Sequence, residues 1–331
     1  MRCTVLGAGS WGTALAVQLA RNGHETVLWD RNSDRCVVLN ETHRNPRYLK
    51  SIELPPSLKA VSDLQEAVSS AELIVPVIPS HALREVMTMA APHIPKNADF
   101  ACATKGIEDG TLMTMHEVMT EILHASDHIS MLYGPSFALE VANGLPTAVV
   151  AAGPERTAHI TAEAFHGPTF RCYHTDDTVG ACIGGSLKNV MAIACGVSDG
   201  VGLGSNARAG IITRGLAEIT RLAVAKGADP LTLAGLAGMG DLVLTCTGNL
   251  SRNRRVGLAL GEGRTLDDIL EELGEVAEGV ITAKTARALA AELGVEMPIT
   301  AQIYDLLYEG KPAKAALVEL MGRERRAERD D

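Results

Sequence analysis

The six residues Gly7-Ala8-Gly9-Ser10-Trp11-Gly12 constrain the fold of this chain more than any other stretch. They join an apolar run, Arg2 to Leu6, that reads as a strand to a helical pattern from Trp11 to Asn22, and a second strand pattern, Glu25 to Asp30, follows. In such a unit the first glycine permits the tight turn, the second lets a pyrophosphate approach the backbone, and the third allows the helix to pack closely on the sheet. The helix N-terminus then offers its unpaired N–H groups to the anion. Glycine is abundant here, 32 residues, so the spacing by itself is weak. Its position between strand and helix, with acidic Asp30 closing the second strand, points to dinucleotide binding. Asp30 suits a ribose 2′-hydroxyl and so favours NAD, whereas Arg31 beside it can hold the 2′-phosphate of NADP. The pair is compatible with either cofactor, and Arg31 also reads as an ordinary surface arginine.

Further apolar runs alternate with helical spacers: Leu73 to Pro79, Asp99 to Thr104, His128 to Gly134 and Thr147 to Gly153. This alternation predicts a parallel, helix-covered sheet of Rossmann type, an α/β half. Past about Asp177 the strand patterns stop, and helices with glycine-rich joints run to about Met321. The expected organisation is a dinucleotide-binding domain over 1–177, an all-α substrate and catalytic domain over 178–322, and a polar tail over 323–331.

With 46% hydrophobic and 21% charged residues the chain has the balance of a globular enzyme. A net charge of -10 argues against a nucleic-acid or anionic-membrane partner, and 3% aromatics supply little for base stacking. Any anionic ligand must therefore be held by local groups. The seven cysteines are scattered without a C-x-x-C pair, as expected of reduced cytosolic thiols packed as small hydrophobes, and no metal is expected. No signal-peptide pattern opens the chain, so a cytoplasmic protein is expected.

Between Asp177 and Asp199 the single charged residue is Lys188, in IGGSLKNVMAIACGV. Gly184, Gly185, Ser186, Lys188 and Asn189 make this window a poor membrane span. An ionised lysine in apolar surroundings is destabilising unless something pairs it or uses it, and its proton is readily tuned by burial. Two readings fit: a helix lysine with its head in water, or a catalytic acid and base.

Three further segments suit a small phosphorylated ligand. ATKGIEDG puts Lys105 just after a strand, where the carboxyl ends of parallel strands line the ligand crevice. LYGPSFALEV supplies Gly134, Pro135 and Ser136 in a turn that offers N–H groups and a hydroxyl. AGMGDLVLTCTGNLSRNRRVG joins Asp241, at a glycine-flanked helix start, to Ser251, Arg252 and Asn253. Each has a plainer reading: a solvated loop lysine, helix caps at Ser136 and Asp241, and a solvated basic face at SRNRR.

Together GAGSWGTA, ATKGIEDGTL, GPSFALEVANGLPTA, GGSLKNVMAIACGVSDGVGLGSNARAGIITRGLAE, GLAGMGDLVLTCTGNLSRNRRVG and VAEGVITA resemble, in order and spacing, the bacterial NAD(P)-dependent sn-glycerol-3-phosphate dehydrogenase family. The resemblance runs from about Arg2 to Met321, and its helical-half motifs are more specific than the glycine loop. It implies reversible reduction of dihydroxyacetone phosphate to sn-glycerol 3-phosphate, a phospholipid precursor, with NADH or NADPH. It implies Lys188 as proton donor and acceptor, with Lys105, Gly134, Ser136, Asp241, Ser251, Arg252 and Asn253 also touching substrate. Ser10, Trp11, Arg31, Tyr48, Lys105, Ala138, Arg252, Val276 and Glu278 fall at implied cofactor contacts, beside Gly7, Gly9 and Gly12. There are departures: Tyr133 stands where serine is usual before GPSF, Ser186 replaces a usual alanine, and YLKSI, which contains Tyr48, replaces the commoner YLPGI.

The chemistry gives these residue types a reason. Hydride addition to a ketone builds negative charge on oxygen, so a cation that can surrender a proton there stabilises the transition state. Asp241 would keep Lys188 charged and oriented, Arg252 and Asn253 would clamp the phosphate, and the cleft between the halves is expected to close. Two other classes share parts of the pattern: a hydroxy-acid dehydrogenase with a carboxylate clamp, and a non-catalytic NAD(P) sensor that needs neither Lys188 nor Asp241. A homodimer would be the commonest assembly for such an enzyme.

Overall fold

The computed structural model describes residues 1–273, 277–324 and 327–328. The chain begins with β1 (Arg2–Leu6), α1 (Ser10–Arg21), β2 (Glu25–Trp29), α2 (Ser33–Thr42), β3 (Lys59–Val61), α3 (Leu64–Val68), β4 (Leu73–Pro76) and α4 (Ser80–Ala90). It continues through β5 (Asp99–Cys102), α5 (Met115–Leu123), β6 (Ile129–Tyr133), α6 (Ala138–Ala142), β7 (Thr147–Ala152), α7 (Glu155–Phe165) and β8 (Phe170–Thr175). From there it is helical: α8 (Thr178–Val201), α9 (Gly204–Ala225), α10 (Pro230–Ala234), a π-helical turn at Leu236–Gly240, and α11 (Asp241–Thr247). The last helices are α12 (Arg252–Gly261), α13 (Leu266–Leu273), α14 (Glu278–Leu293), α15 (Pro298–Tyr308) and α16 (Ala313–Met321).

The strands form one sheet in the order β3-β2-β1-β4-β5-β6-β7-β8. The strand order reverses between the adjacent strands β1 and β4, and it is at the carboxyl ends of strands at such a switch point that open α/β sheets take their ligands. Buried Ala14, Leu15, Val17 and Leu19 hold α1 in the apolar core beside the sheet, and the turn before it needs glycine: Gly7 has φ +117°, and a Cβ on Gly12 would lie 1.9 Å from the Gly7 carbonyl.

The sheet departs from the expected all-parallel arrangement at β7, which runs antiparallel to β6. The connection carries only the five-residue α6, too short to take the chain back across the sheet for a parallel return. The longer α7 then returns the chain, and β8 pairs parallel to β7. Both β3 and β8 fall outside the sequence reading. They are edge strands, one only three residues long and the other largely solvent-facing, so neither carries an apolar signature.

The helical half is built around α8. By length and composition α8 could cross a membrane, yet 94% of its apolar window is buried inside the fold. Helix α12 crosses it at backbone contact. A Cβ on Gly257 would sit 2.0 Å from the Ile193 carbonyl, and one on Gly196 would sit 2.1 Å from that of Arg254. These glycines seat α12 against the C-terminal half of α8. Buried Glu218 of α9 accepts the amides of Ile299 (2.6 Å) and Thr300 (3.2 Å) and so caps α15. All seven cysteines are free thiols.

Candidate active site

Lys188 does not lift its head into water. It is 8% exposed, and its ammonium donates to Asp241 Oδ1 and to Thr245 Oγ1 (3.1 Å). Asp241, 1% exposed, opens α11, and Thr245 one turn later donates back to the Asp241 carbonyl at 2.6 Å, which aims its lone pair at the lysine. Lys105, just past the carboxyl end of β5, donates to the other carboxylate oxygen, Asp241 Oδ2, at 2.7 Å. Two ammonium groups therefore share one carboxylate, which leaves local positive charge in an acidic chain.

Electrostatics follow from that sharing. Burial pushes the Lys188 ammonium down, the Asp241 charge opposes this, and Lys105 adds to the fall, with a result of about 7. Burial pushes the Asp241 carboxyl up, but the two lysines outweigh it and hold the group below the usual range. Asp241 thus stays ionised while Lys188 can change its protonation near neutrality. Asp241 and Thr245 engage two of the three N–H bonds of the ammonium, and among the described residues the third has no acceptor, so it can serve an oxygen of a bound ligand.

The neighbouring loops supply the rest of the wall. At the carboxyl end of β6, Gly134 has φ +133°, and a Cβ there would lie 2.9 Å from Val149 Cα. Ser136 Oγ donates to the Gly134 carbonyl at 3.0 Å, and Pro135 faces Gly240, next to Asp241. Ser251 is the N-cap of α12 and accepts the Arg254 amide at 3.2 Å; Arg252 is the first residue of that helix. Asn253 is buried, and its Oδ1 accepts the Gly279 amide at 3.0 Å, which fixes its side-chain amide.

The glycine loop follows the carboxyl end of β1. A Cβ on Gly9 would meet nothing within 4 Å, and α1, which begins at Ser10, has no side-chain cap on its N-terminus. Trp11 Nε1 is buried and has no hydrogen-bond partner among the described residues. Open space, uncapped N–H groups and a waiting donor fit a pyrophosphate-bearing cofactor. Asp30 is buried, but its carboxylate is already engaged, with Arg35 at 3.1 Å and the Asn32 amide at 3.0 Å. Arg35 and Arg47 flank the Tyr48 ring at 5.9 and 5.2 Å, and Arg31 is exposed. A carboxylate so neutralised does not by itself repel a 2′-phosphate, which gives the Asp30 and Arg31 ambiguity a physical basis.

Glu278 opens α14 and accepts from Ser80 Oγ (2.6 Å) and the Ser80 amide (3.2 Å) at the start of α4, so it ties the helical half to the sheet half. Burial raises its carboxyl, with the Ser80 hydrogen bonds pulling the other way. Ala138 opens α6 and packs against the sheet core. Val276 lies outside the described residues. Four residues of these sites carry no sequence signal of their own: Thr245, Ser80, Arg35 and Arg254. The last is not part of a solvated basic face: it pairs with Asp199 at 2.6 Å. Each of these pairings joins residues far apart or on separate elements, for which a single sequence carries no spacing signal; Thr245, at i+4 from Asp241 on one helix, was the one within reach.

The family models described as NAD-dependent glycerol-3-phosphate dehydrogenase N-terminus and C-terminus match residues 2–159 and 177–318. The chain is 55% identical over 331 residues to a glycerol-3-phosphate dehydrogenase [NAD(P)+] of Anaeromyxobacter dehalogenans, covering 99% of this chain and 100% of that protein. Among solved structures, glycerol-3-phosphate dehydrogenase from Coxiella burnetii superposes with TM-score 0.93 at 44% identity, over 97% of this chain and 99% of that one. The enzyme from Saccharomyces cerevisiae superposes with TM-score 0.83 at 28% identity, over 98% of this chain and 99% of that one.

Proposed function

The chain belongs to the NAD-dependent glycerol-3-phosphate dehydrogenase family, enzymes that interconvert dihydroxyacetone phosphate and sn-glycerol 3-phosphate with NAD or NADP, and from that we propose that Lys188 exchanges a proton with the oxygen on C2 of the triose. The observation that carries this reading is the geometry of Lys188: buried, anchored by Asp241 and Thr245, with one N–H left over and a proton affinity near neutrality.

Bound NAD(P)H supplies the hydride for C2. As the C2 oxygen gains charge, the Lys188 ammonium gives it a proton; in the reverse direction neutral Lys188 takes the proton from the C2 hydroxyl. Lys105 stays as a second cation beside the developing charge, and Asp241 orients both lysines. Arg252 and Asn253 clamp the phosphate, with Ser251 and the turn of Gly134 and Ser136 completing the substrate wall. Gly7, Gly9, Ser10, Trp11 and Gly12 would hold the pyrophosphate region of the cofactor, with Arg31 and Tyr48 at its adenosine end. Lys105, Ala138, Arg252, Val276 and Glu278 would line its remaining length. In this reading residues 1–177 carry the cofactor and 178–322 most of the substrate site. A cytoplasmic homodimer that feeds phospholipid synthesis belongs to the same reading.

The test is an absorbance assay of dihydroxyacetone phosphate reduction with NADH and NADPH side by side. Arg252→Ala should raise KM for dihydroxyacetone phosphate far more than for unphosphorylated dihydroxyacetone. Equal effects on the two ketones would remove the clamp.

A further inference from the structure

Hydroxyls hold the segment that carries Lys105 on both sides of that residue. On one side Tyr133, buried at the end of β6, donates its Oη to the Thr104 carbonyl at 2.7 Å, and its ring centroid lies 5.5 Å from Lys105 Nζ. On the other side Ser186 Oγ, two residues before Lys188 on α8, accepts the Gly106 amide at 3.0 Å. Its own proton is directed to the carbonyls of Cys182 (2.7 Å) and Gly106 (3.1 Å). Gly185 keeps α8 flush with the Tyr133 ring, because a Cβ there would lie 3.2 Å from the ring edge. The residues immediately before and after Lys105 are thus each fixed by one buried hydroxyl.

We infer that Tyr133 and Ser186 are positioning residues: they hold Lys105 on Asp241 Oδ2 and so set the charge that surrounds Lys188. The inference rests on the acid and base role given to Lys188 above. Lys188 is faced by Asp241, Thr245 and the Cys246 thiol from α11 and by Lys105 from this loop, which acts on it both directly and through the shared carboxylate. With the hydroxyl anchors gone Lys105 loses its fixed place on the carboxylate. Asp241 then serves Lys188 alone, and the ammonium form of Lys188 is favoured.

The experiment compares Tyr133→Phe, Ser186→Ala and the double variant. It follows kcat/KM for glycerol phosphate oxidation against pH, with Tm measured alongside. Each single change should lower kcat/KM about fivefold, the value of one lost hydrogen bond, and the double change by less than the product because both act on one loop. The midpoint of the pH profile should move upward by about half a unit or more in the double variant. In a Lys105→Ala background the same two substitutions should leave the midpoint in place. An unmoved midpoint in the double variant, whatever happens to Tm, overturns the inference, as does an equal shift in the absence of Lys105. Should the double variant fail to fold, Tyr133→Phe alone decides, since it keeps the ring packing. Lys188→Ala is assayed in parallel. An inactive Lys188→Ala with an unmoved midpoint removes the positioning role only, whereas retained turnover removes both readings.

Discussion

Lys105 and Lys188 donate to opposite oxygens of the same buried carboxylate, that of Asp241. One is delivered by the sheet half of the molecule and the other by the long helix of the second half, so folding of the two halves onto each other assembles the charge cluster. One anion serves two cations, and the deeper lysine is the one whose proton is loosened.

Asp241→Asn tests that cluster directly. The amide keeps the shape but removes the counter-charge, so burial drives Lys188 further toward its neutral amine and Lys105 loses its anion. Stability should fall by about 3–5 kcal/mol, and turnover should fall with it by about 10²-fold or more. Denaturant unfolding and steady-state kinetics check both, and a variant that keeps stability and rate within a factor of two contradicts the shared-carboxylate account.

The pH dependence has a definite sign. Ketone reduction needs the ammonium form of Lys188, so kcat/KM for dihydroxyacetone phosphate should be level below about 7 and decline above it. Oxidation of glycerol phosphate needs the neutral amine and should rise through the same point to a plateau. The substrate phosphate loses its second proton near about pH 6, below this window. Profiles with the same slope in both directions would contradict the assignment.

Two glycines of the first loop should separate binding from folding. Gly9 has an extended backbone, and a Cβ there meets nothing, so Gly9→Ala should leave stability within about 0.5 kcal/mol while weakening NAD(P)H binding about tenfold or more. Gly12→Ala drives a Cβ into the Gly7 carbonyl and should destabilise the fold itself. Thermal melts with fluorescence titration of the cofactor distinguish them, and equal loss of stability in both would contradict the open cradle at Gly9.

The ion pair between Arg35 and Asp30 predicts cofactor tolerance. Arg35→Ala leaves the buried carboxylate with the Asn32 amide but no counter-charge, which should weaken NADPH binding about tenfold relative to NADH by repulsion of the 2′-phosphate. Direct titration of each cofactor is the check, and an unchanged ratio would dissociate this pair from cofactor choice.

Much of this was legible in the chain, and the pattern of what was missed is physical. The glycine loop, Lys105, Ser136, Lys188 and Asp241 stand out because each sits where local periodicity ends or an isolated charge interrupts it. The antiparallel turn of β7 left no trace, since apolar alternation carries no direction, and the edge strands β3 and β8 lack an apolar face to announce them. Ser80 beneath Glu278 and Asp199 beneath Arg254 are likewise invisible, because their partners are set by packing across the molecule. The isolated lysine was ambiguous in sequence for the same reason: its counter-ion lies on another helix.

The most direct measurement is single-turnover reduction of dihydroxyacetone phosphate by Lys188→Ala, with NAD(P)H affinity measured on the same preparation. Cofactor affinity should be kept within about twofold while the reduction rate falls by about 10³-fold or more. A variant that binds the cofactor and reduces the triose phosphate at near the parent rate would contradict Lys188 as the proton donor.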